Sequence, residues 1–161
     1  MSAINTFLRL LNHPVKARLF LFLKLPSAFF SGVRIRQANE EECKVTVPFK
    51  WFSQNPFRST YFACLSMAGE MSTGALAMSH VYKRQPAISM LVTHTEGLYF
   101  KKATEVTTFV CRDGRAIKET IERAIATGEA QTIVARSEGT NKKGEPVATF
   151  LITWSFKVKN R

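Results

Sequence analysis

Residues 59–79 read STYFACLSMAGEMSTGALAMS. The stretch lies between Arg58 and His80 and carries one charged side chain, Glu70. Its other residues are apolar, small or hydroxylic. That composition predicts a helix buried near the centre of a fold, running to about residue 80, with Ser59 or Thr60 as its cap. A carboxylate inside such a helix is unfavourable unless it is paired, hydrogen-bonded or protonated. Two readings of Glu70 follow. It is kept for chemistry, or it lies at one end of the buried face, where it reaches solvent or is capped by a neighbouring amide.

Upstream, residues 50–58, KWFSQNPFR, form a loop around Asn55-Pro56. Before it, Val33–Ala38 and Cys43–Phe49 flank the acidic turn Asn39–Glu42. Cys43, Val45, Val47 and Phe49 alternate with Lys44, Thr46 and Lys50, so the two segments predict a hairpin. Residues 4–25 are apolar and basic, and Pro14 splits them into two short helical pieces. Ser31-Gly32 ends this region. Lys24 interrupts the apolar run and no A-x-A-like site follows, which argues against a signal peptide. The run is also short of the roughly 20 apolar residues that a membrane span needs. Residues 59–79 are long enough, but Glu70 and six Ser or Thr make them a poor span. The first expectation for the N-terminus is an amphipathic helix packed on the domain. The second is a helix lying on a membrane surface.

Downstream, Gln85-Pro86 breaks the chain. A long strand is predicted over 87–98 and another over Thr104–Cys111. Asp113-Gly114 reads as a turn. Ile117, Ile121, Ala124 and Ile125 predict a short helix over 115–127, ended by Gly128. Gln131–Ser137 is a strand, and Asn141–Gly144 a polar turn. In the last strand Ala148, Phe150, Ile152, Trp154, Phe156 and Val158 share one face, with Leu151 breaking the alternation. Such alternation means an antiparallel sheet with one face on a core. One long apolar helix beside several long strands predicts an α+β architecture in which the sheet wraps the helix.

The chain has 161 residues, enough for one domain with a core. Its net charge of +11 favours anionic partners such as nucleic acid, anionic lipid or a phosphorylated small molecule. The basic residues come in scattered pairs, and no nucleic-acid-binding motif accompanies them, so nucleic acid is not expected. Three cysteines without CxxC spacing argue against a disulfide framework and against zinc, and make a reducing cytoplasm the default. No phosphate loop, Ser-His-Asp pattern or HExxH is present. His13, His80 and His94 lie apart, and His94 falls on the strand expected to flank a site.

Order of elements and spacing of residues together resemble the hotdog-fold superfamily over about residues 30–159. The PaaI-like acyl-CoA thioesterases and the DUF4442 group are the nearest in pattern. PaaI-like enzymes carry a loop Asn, a His-Gly-Gly six residues later at the start of the central helix, and a carboxylate nine residues after that His. Here Asn55 is followed six residues on by Tyr61, then by Phe62 and Ala63, and Glu70 stands nine residues after Tyr61. Spacing and acid are kept; the His-Gly-Gly is not.

The resemblance implies a hotdog domain over 31–161 with an N-terminal helical extension over 1–30. It further implies a homodimer, with a dimer of dimers as the alternative, and sites formed between subunits. By the same resemblance the Phe62 N–H at the helix start polarises a thioester carbonyl. Tyr61 offers a hydroxyl, Glu70 activates water or attacks directly, and Asn55 orients the water or the acid. Ser89 or Thr93 on the following strand supplies a hydroxyl. An acyl tail lies along Leu65, Met67 and Met71. The phosphates of an acyl-CoA or related acyl-carrier substrate meet Lys83, Arg84, Lys101 and Lys102. No metal or cofactor is implied. The rival reading is a non-catalytic acyl- or lipid-binding module that keeps the pocket and has lost the oxyanion site to Phe62-Ala63. A third reading, a membrane or nucleic-acid binder driven by basic charge, predicts steep salt dependence.

Overall fold

The computed structural model describes residues 3–159. Residues 1, 2, 160 and 161, which belong to the two segments expected from sequence, lie outside the described residues. The N-terminal region forms three short helices: α1 (Ala3–Asn12), α2 (Pro14–Lys24) and α3 (Pro26–Phe30). Prolines set the breaks. Pro14 and Pro26 each occupy a first turn, where the missing N–H leaves no bond unmade. The His13 ring accepts from the N–H groups of Val15 and Lys16 and so caps α2. Phe7, Leu8 and Leu11 of α1 and Leu21 of α2 belong to the central core. The Asn12 amide donates to the Ala38 carbonyl at 2.7 Å and accepts from the Ala38 N–H at 2.9 Å, stitching α1 to the first strand.

Six strands follow: β1 (Arg34–Ala38), β2 (Cys43–Val47), β3 (Ile88–Tyr99), β4 (Thr107–Cys111), β5 (Gln131–Thr140) and β6 (Pro146–Val158). They form one antiparallel sheet in the order β1-β2-β4-β5-β6-β3. The long helix α4 (Phe62–Val81) packs across the inner face of β2, β4, β5 and β6, and α5 (Gly114–Thr127) lies beside it on β5 and β6. This is the hotdog arrangement, a sheet wrapped around a central helix.

Three local expectations need correction. Neither Ser59 nor Thr60 caps α4. The Ser59 hydroxyl bonds the Asn55 side chain, and the Thr60 hydroxyl donates to the Ala103 carbonyl, so the chain enters the helix at Tyr61 without a side-chain cap. Asp113-Gly114 is not a hairpin turn but the entry to α5. The Asp113 carboxylate accepts instead from the Arg136 N–H at 2.7 Å, tying that entry to β5. β2 ends at Val47, two residues before Phe49.

The α4 core needs small residues where the sheet comes close. A Cβ at Gly69 would stand 2.4 Å from a Phe150 ring carbon. The hydroxyls buried on α4 are satisfied by the helix itself, Ser72 by Gly69, Thr73 by Glu70 and Ser79 by Leu76. The Trp154 indole of β6 donates to Thr73 Oγ1 at 2.9 Å. Only one side of the sheet leaves a long edge open: most of β3 from Leu91 to Tyr99 is exposed.

Candidate active site

Glu70 sits two turns into α4, on the side that faces α1 and α2. Its carboxylate folds along the helix, with Oε1 2.9 Å from where a Gly74 Cβ would stand, over the edge of the Trp154 ring. The side chain lines a small cavity of about 160 Å³ whose other walls are apolar, among them Phe20, Leu21, Met71, Met90 and Trp154. Among the described residues no hydrogen bond or ion pair reaches this carboxylate. Burial without a donor disfavours the charged form and raises its pKa above the ordinary carboxylate value of 4.5. No neighbouring amide caps the carboxylate, and the residue is half-buried rather than sealed, in keeping with the part of the second reading in which it reaches solvent.

A second, open groove of about 590 Å³ lies at the start of α4. It gathers Asn55, Tyr61, Phe62, Lys101 and Lys102, five of the residues singled out from sequence. The Tyr61 N–H is spent on the Ser53 carbonyl at 2.7 Å. The next two N–H groups, of Phe62 and Ala63, have no acceptor among the described residues. Unpaired N–H groups and the helix dipole make this end attractive to negative charge. Tyr61 and Phe62 are both substantially exposed, with rings edge to face at 4.9 Å. The Asn55 side chain is occupied by its own loop: it accepts from the Phe57 and Ser59 N–H groups and bonds the Ser59 hydroxyl. It shapes the approach to Tyr61.

The remaining sequence candidates lie elsewhere. Met90 and Val92 of β3 pair with Phe156 and Trp154, which face α4, so Ser89, opposite Lys157, faces away. Its hydroxyl donates to the Lys157 carbonyl at 3.2 Å. Thr93 is the extra residue of a bulge between Val92 and His94, and His94, opposite Thr153, also faces outward. Lys83 and Arg84 follow the far end of α4, where Arg84 pairs with Glu122 at 2.6 Å. A helix of that length spans about 30 Å, so one chain cannot bring them to the groove at Phe62. Lys101 is held by Glu145 at 2.6 Å, whereas Lys102 is exposed at the groove.

Sequence reasoning missed Tyr99. Its ring packs on Phe150 at 5.7 Å, its hydroxyl stands near Gly97, and it lines the groove beside Phe62. Partial burial raises its pKa further above the ordinary value of 10. The signal was the inward phase of β3 after the bulge, which only the register reveals. Cysteine chemistry has no place in either cavity. All three cysteines are free and buried, and burial pushes Cys43 and Cys111 upward, Cys111 to about 12.

The family profile described as "Domain of unknown function (DUF4442)" matches residues 17–156. The chain belongs to the DUF4442 family. Solved structures share its fold at low identity. A Pseudomonas aeruginosa protein of unknown function, described as a "Probable Thioesterase", is 18% identical with a TM-score of 0.77, over 91% of this chain and 97% of its own. A Chlorobaculum tepidum protein of unknown function is 15% identical with a TM-score of 0.72, over 91% and 97%. A thioesterase from Haemophilus influenzae is 10% identical with a TM-score of 0.64, over 89% and 91%. No protein of curated function matches. For a DUF4442 chain these likenesses carry the fold.

Proposed function

We propose that this protein hydrolyses an acyl thioester, with Glu70 as the acid/base and the N-terminus of α4 as the oxyanion site. One observation carries the reading: a half-buried, largely desolvated carboxylate without a donor, lining an apolar cavity on the central helix. Such a group is a stronger base than a solvated one. Glu70 takes a proton from water while the water oxygen attacks the thioester carbonyl carbon. The carbonyl oxygen becomes an oxyanion that accepts from the Phe62 N–H. Collapse breaks the carbon–sulfur bond, the proton passes to the thiolate, and a carboxylic acid and a thiol leave. Direct attack by Glu70 through an anhydride gives the same products.

Within one chain Glu70 and Phe62 are roughly 12 Å apart along the helix axis. A homodimer formed through the open β3 edge would set the groove of one subunit against the Glu70 cavity of the other. The acyl tail would enter the apolar cavity beside Met71, and the anionic carrier would lie along the groove at Lys102. The experiment is a panel of acyl-CoA substrates assayed for free thiol with wild type and Glu70→Gln. Turnover should fall about 10²–10⁴-fold in the variant. A folded Glu70→Gln protein with wild-type turnover would falsify the assignment.

The second reading is an acyl-binding protein without catalysis. Phe62 favours it: a ring more than half exposed stands where the resembling enzymes present bare backbone. A wild-type protein that binds acyl-CoA and releases no thiol would establish this reading in place of the first.

A further inference from the structure

Helix α2 has two apolar sides. Leu21 faces inward and, with Phe20 and Leu25, closes the Glu70 cavity. On the outside, Leu19 and Leu23 are 55% and 65% exposed. Nothing among the described residues covers them. The apolar surface continues past α2 through a chain of rings. Phe22 meets Phe30 at 6.2 Å, Phe30 stacks on Phe52 at 5.9 Å, and Phe52 meets Trp51 at 5.4 Å. Trp51, in a short 3₁₀ turn over Trp51–Ser53, is 79% exposed. Three separate pieces of chain therefore build one contiguous apolar face, a feature that marks an interaction site.

The charge around that face has one sign. Lys16 and Lys24 lie exposed at the two ends of α2, and Lys50 is exposed beside Trp51. Arg34 and Arg36 are exposed on the edge strand β1. No Asp or Glu occurs before Glu40, and none between Cys43 and Gly69. Apolar and aromatic side chains rimmed by Lys and Arg suit the boundary of a bilayer with anionic headgroups. A protein partner would need acidic residues around its own apolar patch; a lipid surface supplies both at once. Among the described residues no helix is long and apolar enough to cross a membrane, so such contact would be made by the folded surface.

We infer that the outer face of α2, together with Phe30, Phe52 and Trp51, docks on an anionic lipid surface. This stands apart from the thioesterase reading and does not rest on it. The chain has two tryptophans, and Trp154 is 5% exposed, so a quencher in the lipid phase reports on Trp51. The full chain is mixed with phosphatidylcholine vesicles, with and without phosphatidylglycerol. The expected result is co-sedimentation with the anionic vesicles, weakened by salt, and quenching of Trp51 by brominated acyl chains that Trp51→Phe abolishes. The variant Leu19→Asp/Leu23→Asp changes only exposed positions and should lose about tenfold or more in partitioning. Should that variant misfold by circular dichroism, Lys16→Glu/Lys24→Glu takes its place with the same expected loss. Absence of binding by wild type, equal binding by the folded variant, or binding without Trp51 quenching overturns the proposal. Light scattering without lipid tests the competing occupant: if the folded leucine variant lowers the mass of the wild-type particle, a second copy covers this face and the lipid proposal falls.

Discussion

Glu70 is held in a state that favours its neutral form. Burial raises its folded pKa above the unfolded value near 4.5. A raised acid pKa means the folded state binds the proton more tightly. The resulting stability is fully present below the unfolded pKa and is lost as pH rises through the folded pKa. Glu70→Gln removes this dependence. The melting temperature of the variant should therefore exceed that of wild type at alkaline pH, and the difference should shrink as pH falls toward 4.5. Thermal unfolding of both proteins across that range checks it; a constant difference would mean that the carboxylate is not buried in solution. Lys102 supplies a second test at this scale. Lys101 is already committed to Glu145, so reversing it would add a repulsion unrelated to ligand. Lys102→Glu is the cleaner probe. It should raise KM for acyl-CoA several-fold at low salt and leave kcat near wild type, with the difference fading as salt screens it. An unchanged KM at low salt would remove Lys102 from the ligand surface.

Helix α4 shows how closely an element is fitted to its sheet. Alanine at Gly69 would gain about 1 kcal/mol of helix propensity. The new Cβ would also stand 2.4 Å from a Phe150 ring carbon, with β6 behind it. Overpacking of that kind costs about 1–3 kcal/mol, so packing should outweigh propensity. We expect Gly69→Ala to melt lower than wild type, on the order of 2–4 °C for each kcal/mol lost. A melting temperature at or above wild type would show that Phe150 has room to turn. Legibility differed along this element. Its length and burial could be read from residues 59–79, because an apolar run with one charge has few other homes. Its first turn could not. Ser59 and Thr60 look like caps, but tertiary bonds to Asn55 and Ala103 claim both hydroxyls.

At the scale of the molecule, the open edge of β3 is the unfinished part of the fold. Most of β3 from Leu91 to Tyr99 presents an uncovered edge, a template for pairing with another chain. An isologous contact between two such edges would close it. Light scattering should give twice the 18.2 kDa chain mass at micromolar concentration. A monomer would leave Glu70 and the Phe62 groove apart and remove the proposed two-subunit site.

Read alone, the sequence determined the strands, the two longer C-terminal helices and their order, but predicted two N-terminal helical pieces where the structure has three. Alternation from Ala148 to Val158, the prolines of the N-terminal helices and the lone charge of α4 act locally, through backbone sterics and the hydrophobic period. The spacing from Asn55 through Tyr61 to Glu70 drew notice only through its resemblance to the PaaI-like pattern; these residues line the groove and the Glu70 cavity. What the tertiary structure decided was partnership. Strand register placed Ser89 and His94 on the outer face and Tyr99 on the inner one, because a single bulged residue at Thr93 inverts the alternation. Packing of α1 and α2 left the Glu70 carboxylate without a donor and the outer side of α2 without a cover. Those outcomes depend on which distant segments meet, and period and propensity carry no information about that.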